Sequence, residues 1–319
     1  MEISIGIDLV RKIIHQIRIL VAVTKRSLIV DFRYKFQLGV EAAWTAINVI
    51  VFVLLGAAWQ ETADSTNLPY SMVTFFIVAT GFFTVFSGVM ETTVTAISEE
   101  NQLGTMGFLV TNSVSPIAII IGRYISATVR WGIIMITIVI PPLIIKGVYP
   151  SNLQMLGSTL IIFLIAWLFM LGFTLILTSI ALIFKKTTTL NRVGIYIVRF
   201  ASGAFIPITS FDNSVLIFGK PLSNYLIWFP PAFALEAFRW LFTINTINGL
   251  NCSDCGLSKD NLSYKGFNSI FGTNTTDLTF GDPMIQKMFL IILLFLVISL
   301  LLAEKLTTIS RKWGTIEFY

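Results

Sequence analysis

The sequence predicts an all-α polytopic membrane protein, six transmembrane helices preceded by an N-terminal amphipathic interfacial helix. Three observations carry that expectation. Hydrophobic residues make up 55% of the 319 and charged residues only 12%, about half of the roughly 25% found in soluble domains. Mean hydropathy is +0.83. The few charges sit between apolar runs of about 20 residues, the length that crosses about 30 Å of hydrocarbon. A chain this poor in charge cannot cover a water-facing surface. Its net charge of +5 is dispersed between apolar runs, so it is no nucleic-acid signal.

Residues 1–37 read as the amphipathic helix. Arg11, Lys12, Arg18, Lys25, Arg26, Arg33 and Lys35 alternate with Ile13, Ile14, Ile17, Leu20, Val21, Leu28 and Ile29 at helical spacing. One greasy and one basic face suit the anionic inner leaflet; a solvated helix packed on a soluble domain is the other reading of the same pattern. No charged n-region, short apolar stretch and small-residue cleavage site opens the chain, so the N-terminus is expected to be retained.

The spans follow at about 38–59, 71–91, 117–145, 153–184, 193–211 and 284–303. The fourth is the clearest, because Leu153 to Phe184 holds no charge. The third is expected to end at Pro141–Pro142 or slightly beyond. Residues 1–319 then form a single transmembrane domain, with 212–283 as an extracellular segment. The charges expected at membrane depth are Glu41, Glu91, Arg123, Arg130 and Arg199. Such groups are costly and are paired or face water. Glu41 and Arg123 are close enough to the inner boundary to snorkel, whereas Arg130 and Arg199 are candidates for lining a pathway or pairing between spans.

The positive-inside rule places the basic N-terminus, the Lys185–Lys186 loop and the basic C-terminus in the cytoplasm of a cell whose plasma membrane holds the protein. Asn251, Asn261 and Asn274 open Asn-x-Ser/Thr sequons, all in the segment this puts outside. They are candidate N-glycosylation acceptors, or chance matches in an Asn- and Thr-rich loop. Cys252 and Cys255 lie in the same loop, and on an oxidising face their expected state is a disulfide. With these two cysteines and one histidine, His15, a zinc or haem site within one chain is not expected. No Walker loop is present, since Gly219-Lys220-Pro221 lacks the upstream glycine and the following Ser/Thr. No nucleophile–base set stands out, so the chain is expected not to be an enzyme. A channel, a secondary transporter and a pump subunit remain.

Three segments resemble the type-2 ABC exporter permeases. Lys25 to Trp44, KRSLIVDFRYKFQLGVEAAW, is similar to the family's entry to the first span through Arg33, Tyr34, Leu38, Gly39 and Trp44. Glu99 to Arg123, EENQLGTMGFLVTNSVSPIAIIIGR, resembles the family's loop between spans two and three, with Glu100, Gly104, Thr105, Leu109, Thr111, Val114, Ser115, Pro116, Gly122 and Arg123 in register. Gln102 and Gly107 stand where the family usually has Glu. Pro230 to Arg239, PPAFALEAFR, resembles the family's PLTYAVEALR through Pro230, Phe233, Ala234, Glu236, Ala237 and Arg239.

The resemblance covers essentially the whole chain and implies a permease subunit of an ATP-driven exporter. Its cargo would be a lipid, a drug-like molecule, a peptide or a glycan. Its partners would be cytoplasmic ABC ATPase subunits, a second permease subunit, the same or similar, and membrane lipids, with no nucleic acid. ATP and Mg would be bound by the ATPase, and no cofactor by this chain. Glu99, Glu100, Gln102, Gly104 and Thr105 would form the ATPase-coupling loop, a short polar helix ending at the Gly104–Thr105 break, with Pro116 restarting a helix. Short re-entrant helices would lie between spans five and six, capping the outer face with Pro230, Phe233, Glu236 and Arg239. Glu236 and Arg239 share a helix face and could pair there. Thr74, Phe75, Phe82 and Phe83 on the second span would face cargo, or simply lipid and core. Against this stand a secondary transporter without an ATPase, which needs a coupling site near the midplane, and a membrane-embedded enzyme, which needs a catalytic cluster at depth.

Overall fold

A computed structural model describes residues 2–64, 72–111, 114–145, 153–184, 188–205, 216–217, 220–249 and 283–312. Nearly all of these are helical. Five helical stretches among them are long and apolar enough to cross a membrane: Lys35–Trp59, Phe75–Gln102, Pro116–Ile145, Leu156–Ile183 and Pro283–Ser310. The chain is a helical, multi-pass membrane protein.

Helix α1 (Glu2–Arg33) is followed after Tyr34 by α2 (Lys35–Asp64). Helix α3 (Met72–Gln102) runs unbroken through Glu91, about 16 Å beyond it at 1.5 Å per residue. The polar Ser98–Gln102 stretch is therefore the end of a long helix and not a separate one. A short α4 (Thr105–Thr111) follows. Helix α5 (Pro116–Ile134) has its proline in the first turn, where the missing N–H costs nothing.

Helix α5 passes through a π turn (Met135–Val139) into α6 (Ile140–Ile145). The wide turn has a local cause. Pro141 and Pro142 lack the N–H groups that an α-helix would direct at residues 137 and 138. The ladder shifts just before them, and the Ile140 N–H donates to the Met135 carbonyl five residues back. The prolines thus distort the span without ending it.

Helix α7 (Leu153–Ile183), α8 (Thr188–Ala201), a two-residue antiparallel ladder of β1 (Leu216–Ile217) with β2 (Lys220–Pro221), α9 (Ser223–Leu226), α10 (Pro230–Gly249) and α11 (Pro283–Lys312) complete the chain. Helix α8 departs from expectation. A span over 193–211 was expected, but α8 ends at Ala201, where Gly203 turns the chain at φ +74°. Fourteen residues rise about 21 Å, less than the hydrocarbon thickness. Residues 206–211 of that range lie outside the described residues.

Contacts fix the helix directions. Glu41 of α2 reaches Arg130, while Trp59 of α2 meets Phe76, so α2 and α3 run antiparallel. Glu100 pairs with Arg123 and Trp131 bonds Thr92, which makes α5 antiparallel to α3. Asn101 reaches Leu182 and Phe86 meets Phe163, so α7 is parallel to α3. Glu91 faces Arg192 and Phe83 faces Arg199, so α8 is antiparallel to α3. Gly172 abuts Phe295 and Leu182 meets Ser310, so α11 is parallel to α7. Two parallel neighbours require the chain to return between them, and α8 is the segment that starts that return.

Helix α3 is the central post: 78% of its span window is buried, against 11% for α2 and 22% for α11. Lipid is as apolar as leucine, so close packing rather than water exclusion holds such helices together. Small residues permit it. A Cβ on Gly88 would collide with the Trp131 ring, one on Gly81 with Val139, and one on Gly172 would sit 2.9 Å from Phe295.

Candidate functional site

Helices α3, α7 and α11 end together, and α5 begins there. The Leu182 carbonyl belongs to the last turn of α7 and has no partner within its own helix. It accepts from Asn101 Nδ2 at 3.3 Å and from Ser310 Oγ at 2.9 Å. One carbonyl thus ties three helix ends.

Glu99, Glu100, Gln102, Gly104 and Thr105, the residues expected to form a coupling loop, lie at this end. The Leu103 N–H donates to Glu99 O and the Gly104 N–H to Asn101 O. Gly104 then turns at φ +74°, a left-handed cap that glycine takes without penalty. Thr105 Oγ1 donates to Glu100 O at 3.0 Å and opens α4. Gln102 is exposed and donates to Ser98 Oγ. Glu100 is bound by Arg123 at 2.7 Å, both mostly buried, so Arg123 is an interhelical partner rather than a snorkelling charge. The turn displays Leu103 at 77% and Phe108 at 67% exposure. These apolar side chains follow the polar Ser98–Gln102 end of α3, past the Glu91–Arg192 level.

A second cluster joins α1 to the bundle. Arg130, 5% exposed, contacts Asp31 at 3.3 Å and forms an ion pair with Glu41. Ser126 Oγ donates to Asp31 at 3.0 Å, and Thr24 Oγ1 donates to the Gly122 carbonyl. Arg130 therefore pairs between helices. Asp31, which sequence reading passed over, is its partner. The signal available was its place between Arg26 and Arg33 of the basic amphipathic helix, where an anion needs a reason.

Helix α10 carries a third cluster. Pro230, Phe233, Glu236 and Arg239 are all buried. Arg239, 1% exposed, donates to Glu236 at 3.1 Å and to the Gly203 carbonyl at 3.0 Å, and its guanidinium lies 3.6 Å from the Phe75 ring centroid. The pair expected from the spacing is made, and it also bridges α8, α10 and α3.

Arg199 has different company. Its guanidinium lies 5.3 Å, 5.6 Å and 6.0 Å from the ring centroids of Phe205, Phe83 and Phe52. No carboxylate among the described residues pairs with it.

On the opposite side of α3, a cavity of about 420 Å³ opens between α3, the α5–α6 stretch, α7 and α10. Val78, Phe82, Met135, Val139, Phe163 and Phe238 line it, and the π turn supplies one wall. Phe82 thus faces this cavity and Phe83 faces Arg199, while Phe75 lies under Arg239. The Thr74 side chain, Cys252, Cys255, Asn251, Asn261 and Asn274 lie outside the described residues. Among the described residues, no group of His, Cys, Asp and Glu is arranged to hold a metal ion. No family model, no curated protein and no solved structure matches this chain.

Proposed function

We propose that this chain is the transmembrane permease subunit of an ATP-driven exporter of the type-2 ABC kind. It moves a lipid, drug-like, peptide or glycan cargo outward with energy from a separate ATPase subunit. The observation that carries the reading is the inner end of α3. A helix that extends about 16 Å past the Glu91–Arg192 level, turns at Gly104 and displays Leu103 and Phe108 is built to be gripped from outside the membrane. The Glu100–Arg123 pair and the shared Leu182 carbonyl would pass that grip to α5, α7 and α11. An exposed apolar patch on a polar projection fits a protein partner.

The alternating directions of α2, α3, α5, α7, α8 and α11 support six crossings, with α8 on the path of the fifth. The buried Pro230–Arg239 part of α10, which meets Phe75 of α3 and the Gly203 turn, supports a re-entrant cap. The basic α1 shares its end of the bundle with the end of α11, which supports cytoplasmic termini in a plasma membrane. Two such subunits, the same or similar, would enclose the pathway. ATP and Mg belong to the ATPase.

The experiment is purification of the tagged chain from its host in mild detergent. An ATPase should co-purify near stoichiometric ratio and be lost from the Glu99→Lys/Glu100→Lys variant. Recovery of the chain alone, folded and monodisperse in several detergents, would overturn the assignment in favour of a secondary transporter.

A further inference from the structure

Five arginines of the described bundle lie on or between spans. Arg123 pairs with Glu100, Arg130 with Asp31 and Glu41, Arg192 with Glu91 and Arg239 with Glu236. Arg199 is the exception. It lies seven residues beyond Arg192 on α8, about 10 Å deeper into the bundle than the exposed Glu91–Arg192 pair. That is farther than its own side chain can reach back to the interface. A cation at this depth is costly unless it meets an anion or a water-filled path.

The surroundings define what could meet it. Phe52 from α2, Phe83 from α3 and Phe205 just past α8 surround the guanidinium. Cation–π contact engages its charge and uses none of its N–H donors. The Nε is buried and makes no hydrogen bond. Among the described residues no carboxylate or carbonyl partners its two terminal nitrogens, and the side chain keeps part of its surface. A planar fork of donors without an anion among the described residues, ringed by phenylalanines with Tyr196 one turn back on α8 as its polar neighbour, matches the oxygens of a phosphate or carboxylate, which it binds in bidentate fashion. Ile197 and Phe200 on α8 and Val51 and Leu54 on α2 are exposed apolar neighbours in sequence of these groups, and they suit a hydrocarbon tail.

We propose that Arg199 is the binding site for the anionic headgroup of an amphiphile, its phosphate oxygens on the guanidinium fork and its tail along α2 and α8. The site narrows the cargo class to anionic amphiphiles. It rests on the permease reading only in naming the bound molecule as cargo.

The test is native mass spectrometry of the full chain released from dodecyl maltoside, with dodecyl phosphate as the probe. Wild type should retain the probe, and Arg199→Gln should weaken retention about 10- to 100-fold, as expected for losing charge-assisted hydrogen bonds. Arg192→Gln should bind as wild type does. Arg199→Lys keeps the charge without the fork and, being the gentler change, serves as the second variant; it should fall at least several-fold. Wild-type binding in both Arg199 variants would overturn the site. Equal loss in Arg192→Gln would reduce it to general attraction by basic surface and overturn it too. Inorganic phosphate retained as well as dodecyl phosphate would overturn the amphiphile in favour of a free anion. The measurement needs no ATPase, so its failure leaves the pump assignment standing, and a missing ATPase leaves this result standing.

Discussion

Replacing Arg130 with Gln removes the one cation that two carboxylates share. In the native protein Asp31 and Glu41 approach the guanidinium from α1 and α2, and the three side chains are 13%, 23% and 5% exposed. Without Arg130, two anions from different helices are left close together and largely out of water. Breaking a buried pair from one side costs about 3–5 kcal/mol, because the stranded charge has lost its compensation. Two stranded charges put Arg130→Gln at about 4 kcal/mol. Asp31→Asn should cost about 1–2 kcal/mol, since Glu41 still holds the arginine and the amide can still accept from Ser126. The Asp31→Asn/Arg130→Gln double variant should lie below the sum of the two by about 1–2 kcal/mol, within the usual range for contacting residues. The assay is equilibrium unfolding in mixed dodecyl maltoside and dodecyl sulfate micelles, followed by tryptophan fluorescence. Additive effects, with coupling under about 0.5 kcal/mol, would refute the claim that this triad clamps α1 to α5.

Gly88→Ala should destabilise strongly, by about 2–4 kcal/mol, because the new methyl meets the Trp131 ring, whereas Gly39→Ala, which meets nothing within 4 Å, should be near neutral in the same assay. Phe108→Asp with Leu103→Asp should leave the unfolding midpoint within about 0.5 kcal/mol of wild type yet cut ATPase co-purification at least tenfold. Unchanged co-purification would remove those two side chains from the coupling surface. Arg239→Gln should cost about 3–5 kcal/mol and raise amide exchange at Gly203 to Phe205, since it strands Glu236 and frees the Gly203 carbonyl. Exchange unchanged there would show that the guanidinium does not brace the end of α8.

Much of the architecture was legible because bilayer length and charge patterning act locally. The uncharged run from Leu153 to Phe184 became α7 (Leu153–Ile183), and the expected 117–145 span became a helical stretch from Pro116 to Ile145. Gly104 and Pro116 marked a helix end and a helix start through their own backbone preferences. The spacing of Glu236 and Arg239 announced their pair. These features depend on residues within about one turn or one span of each other.

The rest depended on residues far apart in the chain, which no local pattern records. Asp31 and Arg130 are 99 residues apart, and only packing of α1 along α5 joins them. The expectation that Glu41 and Arg123 snorkel treated each as alone at an interface; the bundle supplied Arg130 and Glu100 as partners, and pairing displaced snorkelling. Hydropathy carried the fifth span to 211, but hydropathy cannot see Gly203 turning the chain and Arg239 fixing that turn. Composition and charge spacing by themselves determined that this chain suits lipid and where its five long apolar helical stretches lie. Tertiary structure decided which charges neutralise one another, and so which arginine is left without an anion among the described residues.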